Sequence, residues 1–255
     1  DVPVVLGGIE ASLRRVAHYD YWQNKLRPSI LVDSGADMII YGMGELPTTH
    51  LCQLLEDKLL HGNKDREVTL TDFQQIDRKY PGRQTVTLEL KENINKGIRS
   101  DDILLHSYEE CLINRRFHAE NFRHVEEESN RLCPQRILQP TGDRYIVVNP
   151  PLPPMTTAEI DRSFDLPYTR LPHPKYKGKR IPAYDMIKHS VCLHRGCFGG
   201  CAFCTISAHQ GKFIMSRSQE SIIREVEQIT QMEDFRGYLS DLGGPSANMY
   251  AMEGK

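Results

Sequence analysis

The sequence predicts an α/β fold, and three observations predict it. Near the start, a short apolar run, a glycine turn and a helix-compatible stretch occur twice: Val2 to Leu6 before Gly7-Gly8, then Met38-Ile39-Ile40-Tyr41 before Gly42-Met43-Gly44-Glu45. The same rhythm returns near the end, where His189 to Leu193 reads as a strand, Ser218 opens a helix, and Tyr238 to Leu242 reads as a second strand closed by Gly243-Gly244-Pro245. Three cysteines, Cys197, Cys201 and Cys204, fall in the loop after the first strand of that last unit. Strand, helix, strand succession of this kind belongs to sheets with parallel pairs. Loops at the carboxyl ends of strands are where (β/α) barrels place chemistry.

The elements follow in order. Ile9 to Ala17 is compatible with a short helix after the first glycine turn. Leu51, Leu54, Leu55 and Leu59 recur at helical spacing within Leu46 to Leu60, with Gly62 as the expected C-cap. The pair Gly42-x-Gly44 lacks the third glycine of a dinucleotide fingerprint. It reads first as a tight strand-to-helix turn, with ligand binding at the carboxyl strand ends as the other reading. Thr85 to Leu90 fits a strand, and Ser107 to about Asn130 a charged helix with an imperfect stripe of Leu112, Phe117, Phe122 and Val125. Its Arg115, Arg116, Arg123 and His124 read as a solvated face rather than a phosphate site. Tyr145 to Val148 is a strand stopped by Asn149-Pro150-Pro151-Leu152-Pro153-Pro154. A proline run of this kind is extended and semi-rigid. Thr156 to Glu159 opens a short helix, and residues 165 to 185 hold four prolines among basic and aromatic residues, including Arg170, Lys175, Lys177, Lys179 and Arg180. We read that segment as a solvated connector, so nucleic acid is not indicated as a partner. In the last unit Ile222, Ile223, Val226 and Ile229 give one apolar helix face, with Glu220, Arg224, Glu225 and Glu227 on the other.

Bulk properties exclude several classes. The chain of 255 residues carries a formal net charge of −2, with 39% hydrophobic and 26% charged residues, which reads as a folded chain of one to two domains. That balance offers no whole-chain attraction for nucleic acid or anionic membranes. No apolar run approaches the roughly 18 residues of a membrane span, and Asp1 to Leu6 lacks the charged segment and cleavage site of a signal peptide. Seven cysteines, three of them within eight residues, suit metal ligation in a reducing, cytoplasmic setting better than a disulfide scaffold. Both ends are abrupt, so we expect a piece of a longer protein.

The stretch Cys197-Phe198-Gly199-Gly200-Cys201-Ala202-Phe203-Cys204 organises the chain. Thiols at this spacing converge on one centre only if the backbone folds back tightly, which Gly199 and Gly200 permit. Three thiolates suit three corners of a [4Fe–4S] cube, since such clusters are held by cysteine. The fourth iron is then open to a small molecule.

Cys-x3-Cys-x2-Cys after a strand, with aromatic Phe203 before the third cysteine, resembles the signature of radical S-adenosylmethionine (SAM) enzymes. The glycine turn Gly243-Gly244-Pro245 stands where that superfamily has a Gly-Gly-Glu type motif, with proline replacing the acidic residue. The likeness is closer to YgiQ-type proteins of the UPF0313 kind. It is carried by Pro3 to Ser12, Val148 to Pro151, Phe164 to Tyr168, Arg195 to Cys201 and Ser240 to Tyr250. The resemblance implies that Cys197, Cys201 and Cys204 ligate the cluster, that its fourth iron binds S-adenosyl-L-methionine, that Phe203 lies against the adenine, and that Gly243 and Gly244 line the methionine end. A reductant such as flavodoxin or ferredoxin would supply the electron for cleavage to a 5′-deoxyadenosyl radical, which abstracts hydrogen from an unknown substrate. It further implies a Rossmann-like (cobalamin-binding-like) domain over 1–145 with its beginning missing, a proline-rich connector over 146–185, and the first units of a partial (β/α) barrel over 186–255. In some relatives that domain binds cobalamin; the histidine motif that would ligate cobalt would lie before residue 1, so this chain does not decide the point, and cobalamin is kept as the less expected cofactor.

The rival reading is a closed four-cysteine site that adds Cys192, as an iron–sulfur electron carrier or a structural zinc module, with His194 and His209 as further candidate ligands. Against it, Cys192 lies inside the expected strand, where the pleat sets its direction. Cys52, Cys111 and Cys133 are isolated, Cys52 being expected in packing. His18, His173 and His189 have no partner at ligand spacing, and Asp241 is as well suited to capping the glycine turn as to touching a ligand. A sensor using the cluster without turnover is the non-enzymatic alternative.

Overall fold

A computed structural model describes residues 3–61, 84–244 and 247–253. The expected C-cap Gly62 and the third residue of the glycine turn, Pro245, lie outside the described residues. The chain forms two compact units, Asp1–Pro153 and Pro154–Lys255.

The first unit is built on a six-stranded sheet. Its strands in chain order are β1 (Val5–Leu6), β2 (His18–Asp20), β3 (Lys25–Arg27), β4 (Met38–Ile40), β5 (Thr85–Leu90), β6 (Ile103–Leu104), β7 (Ile137–Thr141) and β8 (Arg144–Val148), of which β2 and β3 form a separate hairpin. The sheet order is β1-β4-β5-β8-β7-β6. β1 and β4 pair in parallel, as the repeated strand–turn–helix rhythm predicts, and so do β6 and β7. β5 runs antiparallel to both β4 and β8, and β7 with β8 makes a tight hairpin at Gly142, φ +56°. The sheet is therefore mixed rather than parallel throughout. Local pattern could not show this, because a strand buried on both faces reads as the same apolar run in either direction.

Alternation along β4 explains the layers. Ile39 points into one core with Ala11, Leu31, Val86 and Ile146, while Met38 and Ile40 meet Leu51, Leu54 and Leu55 of the helix Glu45–His61 on the other face. The charged helix expected over 107–130 is two helices, Tyr108–Ile113 and Arg115–Ser129. Asn114 breaks it: its backbone is extended, and its side chain accepts from the Arg116 amide as the cap of the second helix. At the carboxyl end of β4, Gly42 has φ +70° and donates its N–H to the Ser12 hydroxyl at 2.8 Å. The Gln84 amide donates to the carbonyls of Tyr41 and Met43, so side chains of this unit hold the glycine turn.

The second unit contains β9 (Ser190–Cys192), β10 (His194–Arg195), β11 (Met215–Ser216) and β12 (Asp241–Gly243), with helices Thr157–Phe164, Pro182–Ile187, Ile206–Gln210 and Gln219–Thr230. β9 and β12 pair in parallel, with Cys192 opposite Gly243. The helix between them buries Ile229 against Val191 and Leu193, with Ile222 and Val226 alongside. Full burial of an aliphatic side chain such as Ile229 contributes about 1.5–3 kcal/mol. Ser218 caps this helix by accepting from the Ser221 amide at 3.1 Å. The expected strand over 238–242 is shorter and later, Asp241–Gly243. Among the described residues no helix is long and apolar enough to cross a membrane.

Candidate functional site

The cysteine loop leaves the carboxyl end of β9 through a two-stranded ribbon. β10 pairs antiparallel with β11, His194 opposite Ser216 and Arg195 opposite Met215, so residues 196–214 form a closed loop on a narrow neck. Gly196 fixes the exit. Its φ is +86°, and a Cβ there would stand 2.0 Å from the Phe213 carbonyl oxygen. The Cys197 amide then donates to the Gly211 carbonyl at 3.1 Å, and the Gly196 amide to Gln210 Oε1 at 3.1 Å.

Within the loop, Cys197 is buried, Cys204 half-buried and Cys201 exposed. A Cβ on Gly199 would meet Cys197 Sγ at 3.4 Å and Cys201 Sγ at 3.7 Å, so two thiols converge on the space that this glycine leaves open. Gly200, φ +61°, turns the chain, and the Cys204 amide bonds the Cys201 carbonyl at 3.0 Å. Among the described residues no group of three or more His, Cys, Asp or Glu side chains stands close enough to hold a metal ion. The loop supplies the donor type of a thiolate-held cluster and pairs two thiols around Gly199, while Cys204, which follows the Cys201–Cys204 turn, is not gathered with them into a three-ligand group. Phe203, expected against an adenine, is 91% exposed. Cys192 is half-buried with its thiol donating to the His194 carbonyl at 3.2 Å.

The register of β9 with β12 brings the glycine turn beside the root of the cysteine loop: the Leu193 amide donates to the Gly243 carbonyl at 2.8 Å. Gly243 is roomy, but Gly244 is not. A Cβ there would fall 1.9 Å from His194 Nε2 and 2.3 Å from Cε1. His194 is fully buried, and burial lowers its pKa below the ordinary histidine value. Its Nε2 accepts the Met249 amide at 2.9 Å, so the neutral ring carries its proton on Nδ1. His209, the other candidate ligand, sits on the short helix Ile206–Gln210. Asp241 is exposed, with Oδ1 3.7 Å from the Cβ position of Gly243.

Beneath the loop lies a buried ionic network. Arg217, 1% exposed, donates to Glu225 and to the Cys192 carbonyl at 3.0 Å. The same guanidinium donates to the Ser221 hydroxyl at 2.8 Å and packs 4.3 Å over the Phe164 ring. Arg170 donates to the other oxygen of Glu225 and to the Ser190 carbonyl at 2.7 Å. Asp165 accepts the Ser221 hydroxyl at 2.8 Å and pairs with Arg224. Two expectations change here. Arg170 belongs to this network rather than to a solvated connector, and Glu225 turns inward from the polar helix face. The signal available was spacing: Ser221 and Glu225, four residues apart, share one face of the helix that Ser218 caps, and Arg217 stands just before that cap.

Comparison with known proteins is decisive at the family level. The family model described as Radical SAM N-terminal matches residues 1–190. The chain belongs to the radical SAM N-terminal family. Within it, the chain is 59% identical over 255 residues to a UPF0313 protein of Bacteroides thetaiotaomicron, covering 100% of this chain and 40% of that one. It is 61% identical over 255 residues to a UPF0313 protein of Porphyromonas gingivalis, covering 100% of this chain and 38% of the relative. The UPF0313 protein YgiQ of Shigella flexneri is 40% identical over 292 residues, with 100% of this chain and 40% of that protein covered. The chain therefore spans about 40% of the length of the curated relatives it matches. No solved structure matches.

Proposed function

We propose that this chain is the cofactor-bearing part of a radical SAM enzyme. Cys197, Cys201 and Cys204 would hold three irons of a [4Fe–4S] cluster, leaving the fourth for S-adenosyl-L-methionine. When bound, the cluster supplies the electron that cleaves the sulfonium to methionine and a 5′-deoxyadenosyl radical. The chain's own part is placement. Gly199 leaves the space on which two thiols converge, Gly196 fixes the angle at which the loop leaves its neck, and the β9–β12 register lays Gly243 and Gly244 alongside. Phe203 at the exposed rim is free to cover a bound adenine. In this reading the segment from residue 186 on begins a partial (β/α) barrel, residues 1–145 are its Rossmann-like companion joined by the 146–185 connector, and a flavodoxin or ferredoxin delivers the electron.

The observation that carries the proposal is the convergence of Cys197 and Cys201 on Gly199, in a chain of the radical SAM N-terminal family. The Cys192 thiol, engaged with the His194 carbonyl, favours three ligands over four. The test is anaerobic reconstitution of the full-length protein with iron and sulfide, followed by electron paramagnetic resonance (EPR) of the reduced state with and without S-adenosyl-L-methionine. A [4Fe–4S]⁺ signal that changes shape on addition, with release of 5′-deoxyadenosine, is expected. A signal indifferent to S-adenosyl-L-methionine, or a cluster lost in Cys192→Ala, refutes it.

A further inference from the structure

His194 connects three segments that the sequence keeps far apart. Its backbone lies in β10, opposite Ser216 and three residues before Cys197. Its ring stands against Gly244 so closely that a Cβ would come within 1.9 Å of Nε2, 2.3 Å of Cε1 and 2.8 Å of Cδ2. Its Nε2 takes the Met249 amide at 2.9 Å. Met249 in turn reaches the thiol pocket, where its Cε lies 3.9 Å from the Cβ position of Gly199 on which Cys197 and Cys201 converge. The same turn is fastened on its far side by the Tyr250 hydroxyl donating to the Arg217 carbonyl at 3.0 Å and the Ala251 amide donating to the Ser216 hydroxyl at 3.0 Å.

We propose that His194 is a positioning residue that clasps the glycine turn and the Met249 turn onto the thiol loop, so that one imidazole sets the spacing between the thiol side and the glycine side of the site. The proposal rests on the radical SAM reading for its consequence, but not for its geometry. Nε2 of His194 is not free to ligate a metal in this arrangement, because its lone pair is engaged by a backbone N–H. The ring also has to be this size. It fills the space that makes glycine obligatory at 244, so the residues at 194 and 244 are a matched pair.

The test uses the full-length protein and compares His194→Leu, His194→Gln and Gly244→Ala with wild type. Hydrogen exchange of the Met249 amide in the metal-free protein needs no cofactor. Loss of the buried acceptor is expected to speed it about tenfold or more in His194→Leu, and the Gln carbonyl to restore most of the protection. After reconstitution, iron per chain is expected to stay at the wild-type level in His194→Leu while S-adenosyl-L-methionine affinity, read from the change in EPR shape, falls about tenfold. Gly244→Ala is expected to reproduce that split between iron content and affinity. Unchanged Met249 exchange in His194→Leu overturns the proposal. So does loss of iron in step with loss of thermal stability in all three variants, which marks a purely structural role. A wild-type cluster that ignores S-adenosyl-L-methionine overturns the enzyme reading instead, and the exchange data then decide the clasp alone.

Discussion

Removing the Glu225 carboxylate is the sharpest test of how the second unit is held. The Glu225 side chain is 13% exposed and lies between Arg217, whose side chain is fully buried, and Arg170. Glu225→Ala leaves Arg217 as a buried cation whose remaining acceptors are the neutral Ser221 and Cys192 oxygens. Breaking one member of a buried ion pair costs about 3–5 kcal/mol. Arg170 retains the Ser190 and Lys188 carbonyls and some access to water, so the lower end, about 3 kcal/mol, is the expected loss. The assay is equilibrium urea unfolding followed by a probe in the second unit, with the slope checked for constancy so that the midpoint reports stability. Glu225→Gln, which keeps an acceptor but not the charge, should fall between wild type and Glu225→Ala. A loss below about 1 kcal/mol in Glu225→Ala, the range of exposed ion pairs, refutes the reasoning.

Two further outcomes follow from the geometry. Gly196→Ala places a methyl 2.0 Å from the Phe213 carbonyl oxygen at φ +86°; the loop neck must open, and reconstituted iron per chain should drop while the first unit, monitored by its own unfolding transition, is unchanged. For the first unit, burial pushes the Asp102 carboxyl up, but hydrogen bonds from Arg136 and from the Arg99 amide outweigh it and hold the pKa below its ordinary value of 3.8. The unfolded chain therefore binds that proton first. The stabilisation from the Asp102–Arg136 pair is complete above the unfolded value and disappears as pH falls through the lower folded one. Asp102→Asn should flatten the acid limb of stability against pH, and an unaltered limb counts against the assignment.

What was legible in the sequence was whatever local pattern fixes. β-branched runs ending in glycine marked β1 and β4, the short run into the cysteine loop marked β9, and Ser218 marked its helix start because a hydroxyl suits an N-cap. Cysteine spacing with two intervening glycines marked the loop, and two of its thiols do meet around one of those glycines. Non-local choices were not legible. The direction of β5 depends on where the chain returns, not on Thr85 to Leu90 themselves. The ribbon of β10 and β11 joins two-residue segments across an intervening loop, too short for any period to register. His194 looked like a spare ligand because its neighbours in sequence are cysteines; its partners, Gly244 and Met249, are fifty or more residues away. Glu225 looked like surface because charged residues on a helix usually are, and only the arrival of Arg170 and Arg217 makes an inward carboxylate tolerable.

The two guanidinium groups on β9 also determine how its sheet can grow. In a parallel pair, alternate residues face opposite neighbours. His189 and Leu193 bond towards β12, through His189 O to Ser240 N and Leu193 N to Gly243 O. The intervening carbonyls of Ser190 and Cys192 face the other way, and they are taken by Arg170 and Arg217. A strand approaching that margin finds its acceptors already occupied by charged side chains that cannot be displaced without stranding Glu225. The margin is sealed against chance pairing with other chains, a hazard of bare strand edges. Pairing on that side of β9 would disturb these guanidinium contacts, whereas the far side of β12 carries no such obstacle among the described residues.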